Sequence, residues 1–158
     1  MLIISIISFV LDLTILNFSK YSFGNITFFF PMLTLTFIIH YIYSNKKINP
    51  YFLGSIVLLY GIIINNNIFL SILLLLFLYY YIIGMRKNIK DTFISYFFII
   101  ITSLILYDLS IYLILILFNY VNFNINYLFY KICNSLVSNL MYSLILYFSN
   151  CVLKIRKS

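Results

Sequence analysis

The stretch Thr92–Phe118 constrains this chain more than any other. It reads TFISYFFIIITSLILYDLSIYLILILF and carries a single charge, Asp108. A transmembrane helix needs about 20 predominantly apolar residues, and this run exceeds that. A helix apolar on every side has no face to offer water, so it belongs in a core or in a membrane. On an insertion scale each Leu, Ile or Phe contributes roughly −0.3 to −0.6 kcal/mol at the helix centre, against about +2.5 to +3.5 for one Asp. The apolar residues outweigh Asp108, and the segment is expected to insert with its acid.

The rest of the chain repeats the pattern. It is 65% hydrophobic and 8% charged, where soluble domains carry roughly 25% charged residues. These values imply one all-α integral membrane domain covering residues 1–158. The net charge of +7 is not a nucleic-acid signal. The basic residues flank apolar runs, where lipid headgroups receive them, and no stretch forms the solvated basic face that nucleic acid requires. Ala, Gln, Glu and Trp are absent, a bias that AT-rich codons would produce.

Six membrane spans are expected, at about 2–18, 26–43, 51–64, 68–84, 92–118 and 131–153. The first lacks the basic start and small-residue cleavage site of a signal peptide and reads as a retained span. Pro31 falls near the start of the second, and proline is tolerated in a helix's first turn; Pro50 opens the third. Asn65, Asn66 and Asn67 form a polar turn, Met85–Lys90 a basic loop, and Asn119–Asn126 an uncharged one. Asp91 is placed to cap the fifth span.

Charge then sets orientation. With the N-terminus in the cytoplasm, the inner side receives Lys46, Lys47, Arg86, Lys87, Lys90, Lys154, Arg156 and Lys157, and the outer side only Lys20 and Lys131. This is the asymmetry that the positive-inside rule selects, with both termini inside. The third span is short, about 21 Å of helix against a hydrocarbon core near 30 Å. A re-entrant segment there would carry Arg86 and Lys87 outside, so two short spans with local bilayer thinning are favoured. Gly54 and Gly61, seven residues apart on one face, read as helix-packing positions.

Ionisable groups within spans are functional candidates by default. They are Asp12, His40 and Asp108. Asp12 and Asp108 fall at similar depth in the outer half of the bilayer; His40 falls near the cytoplasmic end of its span, away from both. The last span offers Ser135, Ser138, Asn139 and Tyr142 along one stripe. One reading gathers Asp12, Asp108, Asn139 and Ser135 into an intramembrane polar cluster. The other has each Asp snorkel or pair with a tyrosine hydroxyl.

Catalysis has little to build on. There is one His, three Asp and no Glu, and no nucleophile–base–orienter arrangement. There is no phosphate-cradling glycine loop and no HExxH motif. No cation is expected beside Asp12 or Asp108. Cys133 and Cys151, about 27 Å apart on one helix, can neither pair nor form a metal site. A non-enzymatic protein without cofactor or metal is expected.

Three patches resemble MreD, the polytopic rod shape-determining family of bacteria. They are FVLDLTILNF with FFFPMLTL across Phe9–Leu35, FLGSIVLLYGIIINNNIFLSILLLLF across Phe52–Phe77, and the stretch Tyr112–Phe148 with Asn139 and Tyr142. The chain departs from the family at Gly61, Ser71 and Asp108, where relatives tend to carry Asp, Asn and Arg. The resemblance implies a scaffold of the cell-elongation complex in the bacterial cell membrane. Its implied partners are an MreC-like bitopic protein and, through it, MreB, RodA and a transpeptidase. It also implies a six-helix fold like the substrate-binding subunits of energy-coupling-factor transporters. A vitamin-binding subunit of that kind is the competing reading, although the first span lacks an alanine pair for docking the transporter partner.

Overall fold

A computed structural model describes residues 2–19, 32–44, 48–63, 68–90, 92–120 and 122–155. It is all helical. Among the described residues six helices follow in order: α1 Leu2–Ser19, α2 Leu33–Ser44, α3 Pro50–Ile63, α4 Ile68–Asn88, α5 Phe93–Leu117 and α6 Ile125–Ile155. Three are long and apolar enough to cross a membrane: α4, α5 and the Ile125–Cys151 part of α6. The expectations for Lys20, Pro31, Lys46, Lys47, the Asn65–Asn67 turn, Asp91, Arg156 and Lys157 lie outside the described residues, as does that for the side chain of Lys154.

The bundle is built around its shortest helix. All ten residues of α2 from Leu33 to Ile42 are buried, and α2 packs against every other helix. Leu35, Phe37, Ile38 and Ile39 meet Leu78, Ile82, Ile99, Ile100 and Leu104 from α4 and α5 in one core. The second span was expected as helix from residue 26, yet Met32 is not helical and α2 begins at Leu33. Its first internal bond is Thr36 N–H to Met32 C=O. The backbone donors before that bond need partners from elsewhere, and the polar residues of α1 and α6 supply them.

Local chemistry explains the other boundaries. Pro50 occupies the first turn of α3, where its missing N–H costs nothing. Asn49 Oδ1 caps that turn by accepting from Tyr51 N–H (3.1 Å) and Phe52 N–H (3.3 Å). The expected basic loop at Met85–Lys90 is helical through Asn88, so Arg86 and Lys87 form the last turn of α4. There they complement the negative end of the helix dipole. Thr92 is the N-cap of α5, its Oγ1 accepting from Ser95 N–H.

At its C-terminus α5 closes on Asn119, at φ 58°. Asn119 N–H reaches Ile116 C=O and Tyr120 N–H reaches Leu115 C=O, the bond pair of a left-handed helix stop that asparagine tolerates. Asn124 Oδ1 then accepts from Tyr127 N–H and starts α6. The Tyr112 hydroxyl pins this connector by accepting from Asn124 N–H (2.6 Å) and donating to Asn124 C=O (2.9 Å).

The two predicted packing glycines behave differently. A Cβ on Gly61 would lie 3.1 Å from Ser71 Cβ and 3.2 Å from Ile68 Cα, so Gly61 is where α3 and α4 approach backbone to backbone. A Cβ on Gly54 would meet nothing within 4 Å. Gly54 is not a helix contact within this chain; it opens onto an apolar groove.

Candidate functional site

Buried and half-buried polar residues form a seam along the inner face of α6. Lys131, Ser135, Asn139, Tyr142, Ser143 and Asn150 recur at spacings that keep them on one side of a helix, and the seam joins α6 to α1, α2 and α5. The opposite side of α6 presents Val137, Met141, Ile145 and Phe148, all exposed.

The seam begins at Asp108, fully buried on α5. Its Oδ2 accepts from Ser135 Oγ at 3.2 Å, and its Oδ1 faces Lys131 Nζ at 3.3 Å. From the sequence no cation is expected beside either Asp, and Lys131 is expected at the outer surface. Lys131 instead lies nearly two turns inside α6, its side chain 16% exposed. Its position four residues before Ser135 was the available signal, because that spacing puts both on one helical face.

One turn further along, Asn139 Nδ2 donates to Ser135 C=O (2.7 Å), while Asn139 Oδ1 accepts from Met32 N–H (3.0 Å). Beside it, Asp12 from α1 accepts from Leu33 N–H through Oδ1 (2.9 Å) and from Thr34 N–H through Oδ2 (2.8 Å). Three free donors at the start of α2 are thus satisfied by two other helices. Helix N-termini ordinarily receive such bonds from their own N-cap side chain, which Met32 cannot supply. The carboxylate also lies at the positive end of the α2 dipole. Asp12 is therefore held by backbone, not by Asp108.

Ser8 continues the seam. It donates to Ile4 C=O on its own helix and accepts from the Tyr142 hydroxyl on α6. The structure thus brings Asp12, Asn139, Ser135 and Asp108 into one connected set, in which the two acids have separate partners.

His40 has its own arrangement toward the other end of α2. Asn150 Nδ2 donates to His40 Nε2 at 2.9 Å, and His40 Nδ1 lies 2.7 Å from the Tyr96 hydroxyl. The same hydroxyl donates to Ser143 C=O at 3.2 Å. With Asn150 as donor, the ring proton belongs on Nδ1 and points to Tyr96 oxygen. The sequence reading considered only the acids as partners for His40 and missed Tyr96 and Asn150.

Apart from Ser143, whose hydroxyl donates to Leu140 C=O on its own helix, every side chain in the seam and around His40 bonds to another helix or to the start of one. Such bonds hold helices together where the surroundings cannot compete for them. Among the described residues, no group of three or more His, Cys, Asp or Glu side chains could hold a metal ion, and Cys133 and Cys151 are free thiols. None of the family models, curated proteins or solved structures compared with this chain matches it.

Proposed function

We propose that the protein is a non-catalytic membrane scaffold of the MreD kind. In this reading its helices cross the bacterial cytoplasmic membrane six times with both ends inside. It joins the cell-elongation complex through an MreC-like bitopic partner and, through that partner, MreB, RodA and a transpeptidase.

One observation carries the reading. Asp12, Asp108, Ser135 and Asn139 are engaged in bonds between helices, and the outward face of α6 presents the apolar Val137, Met141, Ile145 and Phe148. A bundle fastened from within in this way offers its neighbours shape and apolar surface, on which helix association in lipid depends. The placement of Arg86 and Lys87 at the end of α4 supports that end as cytoplasmic.

Depletion in a rod-shaped host is the test. The scaffold reading expects cells to round up, and expects an MreC-like protein to co-purify with the tagged chain. Cells that keep their shape, or recovery of a bound vitamin with uptake dependent on an ATPase pair, would favour the transporter subunit instead.

A further inference from the structure

The groove beside Gly54 has a volume of about 640 Å³ and runs between α2, α3 and α4. This lies within the range of about 300–1,000 Å³ typical of ligand-sized sites. Its walls include Ile38 and Ile42 of α2, Leu53 and Val57 of α3, and Leu75 and Tyr79 of α4. The groove is apolar throughout its depth and open on the outer surface of the bundle.

The end of the groove is charged. On α4, Ile72, Leu75, Leu76 and Tyr79 line it at the spacing of one helical face. Two turns on, about 10 Å away, the same face carries Arg86. The guanidinium carbon of Arg86 lies 6.0 Å from the centre of the Tyr43 ring, at the junction of α2 and α4 beyond the groove's end. Lys87 and Lys90 are exposed beside it.

An apolar slot that ends in cations matches one chemistry, a fatty-acyl chain carrying an anionic head. From Ile72 to Arg86 is about 21 Å along the helix, enough for one leaflet of a hydrocarbon core near 30 Å thick together with its headgroup layer. We propose that the α2–α3–α4 groove is a binding site for an anionic phospholipid of the leaflet at the basic end. One acyl chain lies along Leu53, Gly54 and Val57, and the phosphate meets Arg86 and Lys87. Gly54 keeps the slot open, since any side chain there would project into it. The inference needs only that the bundle is in a membrane, so it stands or falls apart from the scaffold reading.

The chain has no tryptophan, which allows a background-free test in the full-length protein. Leu58→Trp places a fluorophore on the groove wall, and Val137→Trp places one on the outer face of α6 as a control. Each variant is reconstituted in phosphatidylcholine vesicles containing a small fraction of brominated phosphatidylglycerol or, separately, brominated phosphatidylcholine. The proposal expects the groove tryptophan to be quenched preferentially by the anionic lipid and the control to be quenched equally by both. Adding Arg86→Gln should weaken the groove preference about five-fold, the effect of losing one cation near the membrane surface. Adding Gly54→Leu should abolish it while the helical circular dichroism stays unchanged. Equal quenching by both lipids at Leu58→Trp would overturn the proposal. So would shielding from both lipids, which would mean that a protein helix or a second copy fills the groove.

Discussion

Lys131 Nζ on α6 stands 3.3 Å from Asp108 Oδ1 on α5, and of the two side chains only Asp108 is wholly buried. The asymmetry decides which substitution hurts. Lys131→Met leaves a carboxylate inside the bundle with only Ser135 to hold it, and breaking a buried pair in this way costs about 3 kcal/mol or more. Asp108→Asn leaves Lys131 free to reach its partly exposed surroundings and keeps an acceptor for Ser135, at a cost of about 1 kcal/mol. Combining the two should restore most of the loss. Equilibrium unfolding in mixed micelles, followed by circular dichroism, checks the order of the three variants.

Asp12 acts as an N-cap supplied by another helix. Asp12→Ala strands the N–H groups of Leu33 and Thr34, so a loss of about 2 kcal/mol is expected. Asp12→Asn keeps one acceptor and should recover about half of that. Hydrogen exchange gives the local readout. The amides of Leu33 and Thr34 should lose protection in Asp12→Ala, while those of α4 keep theirs.

The two glycines should respond with opposite signs. Gly61→Ala drives a methyl against Ser71 and the Ile68 backbone and should cost about 1–2 kcal/mol through overpacking. Gly54→Ala meets open space and should gain about 0.5–1 kcal/mol from helix propensity alone. Thermal unfolding of the two variants side by side tests the difference.

His40 is the one histidine in the chain, so its nitrogen spectrum can be read without assignment. The bonds to Asn150 and Tyr96 place the proton on Nδ1. A ¹⁵N spectrum should show Nε2 as the unprotonated nitrogen. Tyr96→Phe should cost about 1–2 kcal/mol, because it leaves buried partners on both α2 and α6 unmet.

Much of this architecture was legible in the chain. Long apolar runs give helices in any environment without water, and the Asn49–Pro50 and Asn124 positions carry recognisable start signals. The sequence also suggested Asp12, Asp108, Asn139 and Ser135 as one cluster, because buried acids need donors and α6 places its polar residues on one face; in the structure the two acids have separate partners. The partners were less legible. Backbone donors carry no residue signature, so nothing in the sequence revealed that Asp12 would bind the start of α2. Lys131 was hidden by its place near the end of an apolar segment, where a lysine usually marks the membrane surface. The non-helical state of Met32 was hidden for a related reason: Met32 is apolar like its neighbours, and the bonds from Asp12 and Asn139 to the start of α2 have no signature in the sequence.

The account depends on which face of α6 looks inward. Single nitroxide labels placed at successive positions from Lys131 to Asn150, in a background lacking Cys133 and Cys151, measure that face directly in lipid vesicles through collision with oxygen. Accessibility should peak at Val137, Met141, Ile145 and Phe148 and fall to minima at Ser135, Asn139 and Ser143. Maxima at Ser135 and Asn139, or a profile with no helical period, would contradict a polar seam inside the bundle.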